Sequence, residues 1–268
     1  MQMVELLHVS APRIDAAEIL VRARELVPNV ELLSPAQVGS TMLFAHPMYV
    51  THLKDGNLPA QTLLAPAHKP FEPANYVEEL QQSWSCPDAA ALMDGTTSVT
   101  LVSELFARTL EPADRVMLFH GVLQAVVELT RPVALAFLHS QQIVSATDYL
   151  DGCGSEPFYR PGPLNVRLFR IEDSGDMIMD TRGLNELGLH DLQCHFRKLD
   201  PQDVSRILHG IAAYIFENGP VIKSGETVEG ISERDKWRCQ FEAAILPPER
   251  DVLDLNPGKK FAAGSRRG

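Results

Sequence analysis

The stretch NVRLFRIEDSGDMIMD, residues 165–180, determines the fold class that the sequence predicts. Two mainly apolar runs, 165–171 and 177–180, flank the polar turn Glu-Asp-Ser-Gly, a pattern typical of two antiparallel strands in a hairpin. Parallel neighbours would instead need a long crossover connection. The short turn therefore favours an α+β fold with mainly antiparallel sheets and packed helices.

Other parts of the chain repeat this organisation. Residues 41–53 and 61–65 flank a Lys-Asp-Gly-Asn sequence, and Asp-Gly is a strong hairpin signal. Two long helices are predicted between the strand-rich segments. The first begins at Pro112, and the second begins after Asp200, whose side chain suits a helix N-cap with Pro201 in the first turn.

The strand–helix–strand pattern occurs twice, so the sequence predicts two pseudo-equivalent halves. We expect an N-terminal α+β half at 1–110, a C-terminal α+β half at 111–256 and a disordered tail at 257–268. The segment 151–163 is rich in Gly and Pro, and it is the best candidate for a mobile hinge loop.

The charge of the chain restricts its partners. The 268 residues carry a net charge of −11, and the last twelve residues contribute four basic side chains and no acid. Without those four, 35 acidic and 20 basic residues leave −15 for the body of the chain. Such a body repels nucleic-acid phosphates and attracts basic proteins, although an acidic surface can also serve solubility alone.

Cysteine usage and hydropathy indicate a cytoplasmic protein. The four cysteines, Cys86, Cys153, Cys194 and Cys239, are scattered without a CxxC pair, which argues against structural zinc and against a disulfide framework. No apolar run approaches the roughly 20 residues of a membrane span, and no export signal is recognised at the N-terminus. We therefore expect no membrane association.

The histidines form no metal-binding motif. His190 and His195 flank Cys194, but on a strand Cys194 and His195 would face opposite ways, whereas His46 and His52 would share one face. The sequence also lacks the glycine-rich motifs of nucleotide sites and the GxSxG elbow of hydrolases. We accordingly predict no cofactor, no metal and no catalytic residues.

Two tryptophans lie in polar surroundings, in QQSWSC around Trp84 and DKWRC around Trp237. Tryptophan is common at binding hot spots, but it is also a common core residue. We interpret both as core residues, with a binding role as the alternative.

Several stretches resemble a bacterial family of uncharacterised proteins, domain of unknown function 4261. They are RPVALAFLH at 131–139, NVRLF at 165–169, MDTRGL at 179–184 with LGL at 187–189, DLQ at 191–193, and YIFENGPVIK at 214–223. The N-terminal half is less similar, and its resemblance depends on Trp84, Pro87, Ala89 and Ala90.

The resemblance implies a binding protein without an assigned reaction. Some members of that family look like immunity proteins encoded beside antibacterial toxins of type VI secretion. An acidic immunity protein would occlude a basic toxin, such as a nuclease. The acids that we expect to contact this partner lie in two turns: Glu172, Asp173, Asp176, Glu226, Glu229, Glu233 and Asp235. The alternative is a hydrolase-like enzyme that uses a histidine such as His139.

Overall fold

The computed structural model describes residues 1–33, 41–54, 56–66, 71–232 and 234–264. The chain folds as two compact units, Met1–Pro163 and Leu164–Gly268. Asp55 of the predicted Asp-Gly turn, the predicted contact residue Glu233 and the last four residues of the predicted tail lie outside the described residues.

The first unit contains, in its described part, an antiparallel sheet of seven strands in the order β2-β3-β4-β5-β1-β6-β7. The strands are β1 (Met3–His8), β2 (Glu31–Leu32), β3 (Met42–Leu53), β4 (Gly56–Pro66), β5 (Ser98–Leu105), β6 (Ala134–Phe137) and β7 (Gln142–Ser145). The helices are α1 (Ala16–Leu26), α2 (Val77–Gln81), α3 (Ala89–Met93), α4 (Pro112–Thr130) and α5 (Ala146–Asp151).

The middle of this sheet is buried on both faces. Alternate residues of a strand point to opposite faces, and on β6 Leu135 and Phe137 join the core formed with α1 and α4. Ala134 and Ala136 join a second core on the opposite face. The first core is the larger one, because α4 buries most of its apolar residues there.

Residues 71–95, which we call the outer layer, cover the second core. The layer comprises a 3-10 helix at Pro73–Tyr76, followed by α2 and α3. Its inward side chains are buried against β6 and β7, and they include Tyr76, Cys86, Ala89 and Met93. Both helices have five residues, too few to be stable alone, so this packing holds them in place.

The second unit contains, in its described part, a six-stranded sheet in the order β11-β12-β13-β10-β9-β8. The elements are β8 (Asn165–Arg170), β9 (Met177–Arg182), β10 (Asp191–Phe196), α6 (Pro201–Asn218), β11 (Thr227–Glu229), β12 (Lys236–Ala243) and β13 (Asp251–Asn256). Only the β10–β13 pair is parallel among these described strands. Helix α6 begins where the Asp200 carboxylate accepts the Gln202 N–H at 2.9 Å.

The predicted fold class is confirmed, since both sheets are mainly antiparallel and helices pack on them. The strand orders of the two sheets differ. In the described part of the chain, no helix is both long and apolar enough to cross a membrane.

The unit boundary differs from the predicted boundary at residue 110. Strand β6 follows that point in sequence but pairs with β1, and α4 packs on α1, so both belong to the first unit. The two units instead divide after Pro163, at the end of the predicted hinge. The sequence pattern could not show this, because the β1–β6 pairing joins distant residues.

The segment 151–163 is well packed in the structure. The guanidinium of Arg160 donates to the carbonyl oxygens of Cys153 and Ser155 at 3.1 Å and to the Gln124 side chain at 3.2 Å. Buried Phe158 adds apolar contact. These contacts hold the segment in place, whereas the sequence analysis expects a mobile hinge loop.

The described part of the predicted disordered tail is attached to β10. Ala262 forms a β-bridge with Phe196, and the Ala263 N–H donates to the His195 carbonyl at 3.1 Å. Residues 257–264 are therefore ordered, whereas the sequence analysis expects disorder. The reason is that backbone pairing with β10 holds them, and such pairing has no local sequence signal.

Two buried histidines predict how the stability of the first unit depends on pH. Burial lowers the pKa of His8 and His46 to about 4, whereas an unfolded chain titrates near 6.5. The unfolded state therefore binds more protons as pH falls from about 6.5 to about 4, and stability is lost in this window by up to about 1.4 kcal/mol per pH unit for each histidine.

Urea unfolding at pH 7.5 and pH 5 checks this dependence. The variant His46→Gln should lose less stability on acidification than the wild type, because the glutamine does not titrate. His209→Gln, at an exposed position on α6, is the matched control and should behave like the wild type. Equal acid sensitivity of His46→Gln and wild type would contradict the assignment.

Candidate functional site

The first predicted set of contact acids lies in the β8–β9 turn. Glu172 and Asp173 are exposed, and Asp176 is half-buried. The backbone holds the turn, since the Ile171 N–H donates to the Asp176 carbonyl at 2.8 Å and the Gly175 N–H donates to the Ile171 carbonyl at 2.8 Å. The structure thus presents these acids at the tip of a hairpin.

The second set lies around β11, where two of its carboxylates stabilise their own loop. The Asp235 carboxylate accepts the Trp237 indole N–H at 2.9 Å and the Ile231 N–H at 3.2 Å. Glu226 accepts the Lys223 N–H at 2.8 Å. Glu229 lies opposite Lys236 in the β11–β12 pair. These acids therefore have local roles or basic neighbours.

Strand register places both turns at the same end of the second sheet, but at opposite edges. β9 begins opposite Phe196, where β10 ends, and β12 begins near the end of β13. With interstrand spacings of 4.7–4.9 Å, three spacings put β9 and β12 about 14 Å apart. Exposed basic residues follow the intervening strands: Arg197, Lys198, Lys259 and Lys260. The two acidic turns do not form a continuous acidic surface.

Most of the negative charge belongs to the first unit. Residues 1–163 contain 18 acidic and 9 basic side chains, a net charge of −9. Residues 164–268 contain 17 acidic and 15 basic side chains, a net charge of −2. The predicted contact residues all lie in the unit that is nearly neutral.

A row of polar side chains crosses the second sheet. Register aligns Arg167 of β8, Asp180 of β9, Gln193 of β10, Asp254 of β13 and Gln240 of β12 on one face. The first four are buried. Buried polar groups need partners, so this row must be satisfied within the folded protein.

Arg250 connects this row to Asp191. Its guanidinium donates to Asp180 Oδ2 at 2.7 Å and to Asp191 Oδ2 at 3.0 Å. Arg167 also pairs with Asp180, at 2.9 Å to Oδ1 and 2.5 Å to Oδ2. Arg250 also donates to the carbonyl oxygens of Leu246 and Pro248 at 3.2 Å and 3.0 Å, so it fixes the loop before β13.

The environment of Asp191 is that of a structural carboxylate. Burial raises its pKa to about 6, although the nearby guanidiniums of Arg250 and Arg182 favour the charged form. Its Oδ1 accepts the Leu184 N–H at 3.1 Å and the Thr181 hydroxyl at 3.3 Å. Because both oxygens are engaged, Asp191 is arranged to hold strands together.

The histidine predictions have different outcomes. Cys194 and His195 do face opposite ways, since they occupy successive positions of β10. His46 and His52 do not share a face, which corrects the expectation from their even spacing. β3 has a bulge between His46 and Val50, so His46 is buried against Thr62, whereas His52 is exposed beside Asn57. Among the described residues, no group of three or more acids, cysteines or histidines could hold a metal ion.

His139, the residue of the alternative enzyme hypothesis, is buried at the β6–β7 turn. Its Nδ1 lies 3.3 Å from the Met3 backbone nitrogen and 3.2 Å from the Met3 carbonyl oxygen. Its ring packs edge-on against Phe137 at 5.9 Å. This environment is typical of a packing histidine.

The two tryptophans have opposite environments. Trp237 is fully buried, as expected for a core residue, but the Trp84 side chain is 62% exposed. The core interpretation of Trp84 is therefore wrong. The reason is that Trp84 follows α2 in a turn of the outer layer, where its neighbours Ser83 and Cys86 occupy the inward positions.

The second unit is thus a mainly antiparallel α+β domain held by a buried arginine–aspartate network. The family described as Domain of unknown function (DUF4261) matches residues 180–256, which include Asp180, Asp191 and Arg250. The resembling stretches before residue 179 lie outside this match. No curated protein and no solved structure matches the chain.

Arg250 should be essential for the stability of the second unit. Arg250→Met leaves two buried aspartates short of a guanidinium, and breaking a buried ion pair in this way costs about 3–5 kcal/mol. Urea unfolding at pH 7.5 measures the loss. The loss should be smaller at pH 5, because burial already raises the pKa of Asp191 to about 6, so this carboxyl is largely protonated there and depends less on the guanidinium.

Arg206→Met is the matched control. Arg206 is a largely exposed arginine that pairs with Asp203 on α6 at 3.0 Å, and exposed pairs contribute at most about 1 kcal/mol. If Arg250→Met were no more destabilising than Arg206→Met, the network would not hold the unit together.

Proposed function

We propose that this protein is a non-enzymatic binding protein that covers a basic surface of a partner protein. In the specific form that the family resemblance suggests, it is a cytoplasmic immunity protein, and its partner is a secreted antibacterial toxin such as a nuclease. The observation that carries the proposal is the net charge of −9 on the first unit.

The buried charges support a surface function. Glu104 of β5 and Arg115 of α4 form a buried bidentate pair at 2.8 Å and 2.6 Å. Asp180 pairs with both Arg167 and Arg250, and Asp191 pairs with Arg250. These charges stabilise the interior, so the acids that remain for a partner are those on the surface.

The mechanism would be steric occlusion guided by charge. Long-range attraction between an acidic and a basic surface increases the association rate, whereas dissociation depends on the packed centre of the interface. A protein that binds across a toxin's cationic substrate groove would exclude the substrate without any chemical step.

Ionic strength should therefore act mainly on association with the partner. The purified product of the adjacent gene is the probe, and surface plasmon resonance measures the rates. Screening shortens the range of attraction to about 10 Å at 0.1 M salt. Raising salt from 0.05 to 0.5 M (about one decade) should lower the association rate at least about ten-fold and change dissociation much less.

A growth assay tests the biological form of the proposal. The neighbouring gene should inhibit growth when expressed alone, and co-expression of this protein should restore growth. If the neighbour is harmless, or stays toxic in the presence of this protein, the immunity hypothesis is overturned and the enzyme alternative gains weight.

A further inference from the structure

The outer layer exposes two large apolar side chains. Trp84 is 62% exposed and Val77 is 49% exposed, although the inward side of the same layer is buried in the second core. An exposed tryptophan leaves much apolar area in water, and at protein interfaces tryptophan is among the residues most often found to dominate binding. The exposed side of this layer is therefore a candidate interaction surface.

The segment that carries these apolar side chains is acidic. Residues 71–98 contain five acids and no lysine, arginine or histidine. The acids are Glu72, Glu78, Glu79, Asp88 and Asp94, and all except half-buried Glu79 are exposed. The segment thus combines an exposed apolar anchor with exposed charges of one sign, the two components of an interface that has an apolar centre and a charged rim.

The layer holds the indole in place. Ser83, directly before Trp84, accepts the Ile143 N–H of β7 at 2.7 Å and donates to the Glu79 carbonyl at 2.5 Å. The Trp84 indole N–H donates to Gln82 at 3.2 Å. Because the backbone is already fixed on the sheet, binding through this surface costs little conformational entropy.

Like charges crowd the inner margin of the surface. Tyr76 donates to Glu5 of β1 at 2.5 Å, and Glu79 lies close to both Glu5 and Glu78. Burial, together with the negative charges of Glu78 and Glu5, raises the pKa of Glu79. A cationic partner would relieve this repulsion when it binds.

We infer that the exposed side of the outer layer, centred on Trp84, is the surface that binds a basic protein partner, with the indole entering an apolar pocket of that partner. This inference rests on the proposed function and locates its interface in the first unit. It differs from the sequence-based prediction, which places the contacts at acidic turns of the second unit.

The negative charge of the outer layer favours a basic protein over other kinds of partner. Nucleic acids and anionic lipid surfaces carry negative charge, so five acids without a base in residues 71–98 would repel them. A second copy of this chain would place the same acids opposite one another across a symmetric contact, which is unfavourable. A basic protein surface with an apolar pocket would pair with the acidic residues and also accept the Trp84 indole.

Fluorine NMR reports directly on the surface. The chain has two tryptophans, one exposed and one buried, so full-length protein labelled with 5-fluorotryptophan should give two resonances. The variant Trp84→Phe assigns them. On addition of the unlabelled product of the adjacent gene, the Trp84 resonance should shift or broaden while the Trp237 resonance stays nearly unchanged.

Matched variants test the energetic contribution of the surface. Trp84→Ala should weaken the Kd at least about ten-fold, as expected for a hot spot. Tyr214→Ala removes an aromatic side chain that is 50% exposed on α6, and it should leave the Kd unchanged. Thermal unfolding verifies that both variants remain folded.

Two triple charge reversals compare the competing surfaces. Glu72→Lys, Asp88→Lys and Asp94→Lys alter the outer layer, where Glu72 and Asp88 precede short helices without capping them through their side chains. Glu172→Lys, Asp173→Lys and Asp176→Lys make the same charge change in the second unit. The first triple variant should lower the association rate at least about ten-fold, and the second should lower it much less.

The outcomes separate this inference from the proposed function. If the wild-type protein does not bind the adjacent gene product, the proposed function and this inference both fail. If it binds, but the Trp84 resonance does not respond and the β8–β9 reversal has the larger effect, the function stands and the location is wrong. A response of Trp84 together with the loss of affinity in Trp84→Ala supports the location.

Discussion

The second unit depends on the buried ion pairs that the Arg250 guanidinium forms with two aspartates. This guanidinium joins Asp180 of β9 to Asp191 of β10 and holds the loop that leads into β13. Charges in a protein interior interact strongly, but they are costly when a partner is missing. The network therefore admits few arrangements of these strands other than the native one.

The polar row across this sheet has a consequence for strand register. A slip of one residue turns every side chain of a strand to the opposite face. Such a slip in β9 would carry Asp180 to the face where Met179 is buried, away from Arg167 and Arg250. The buried charges thus specify register more strictly than apolar packing alone.

The first unit distributes its charged residues differently. Its main core is apolar, and Glu104 and Arg115 form its buried ion pair, so most of its acids stay on the surface. The two units consequently differ in where their charge lies: balanced and partly internal in the second, mostly external and negative in the first. Net charge for the whole chain concealed this difference.

Local signals explain which parts of the fold could be predicted. The β8–β9 hairpin, Pro112 at the start of α4 and the Asp200 cap of α6 are encoded within a few residues, and each appears in the structure. The β1–β6 pairing, the β3 bulge and the contact of Arg250 with Asp180 join residues whose relation has no local signature. Those features determine the unit boundary and the network, so neither could be inferred from the sequence.

The two tryptophans show that the candidate site, like the fold, could be predicted only where the sequence carries a local signal. Both have polar neighbours in sequence, yet Trp237 alternates with exposed Lys236 and Arg238 on a strand, where every second side chain enters the core. Trp84 follows a five-residue helix, and a turn has no such periodicity to direct its side chain inward. The absence of basic residues at 71–98 was visible in the sequence, but it gained meaning only once the outer layer was seen to expose an indole. An exposed tryptophan contributes little to the core that lies beneath it, so its surroundings on the surface determine what it can do.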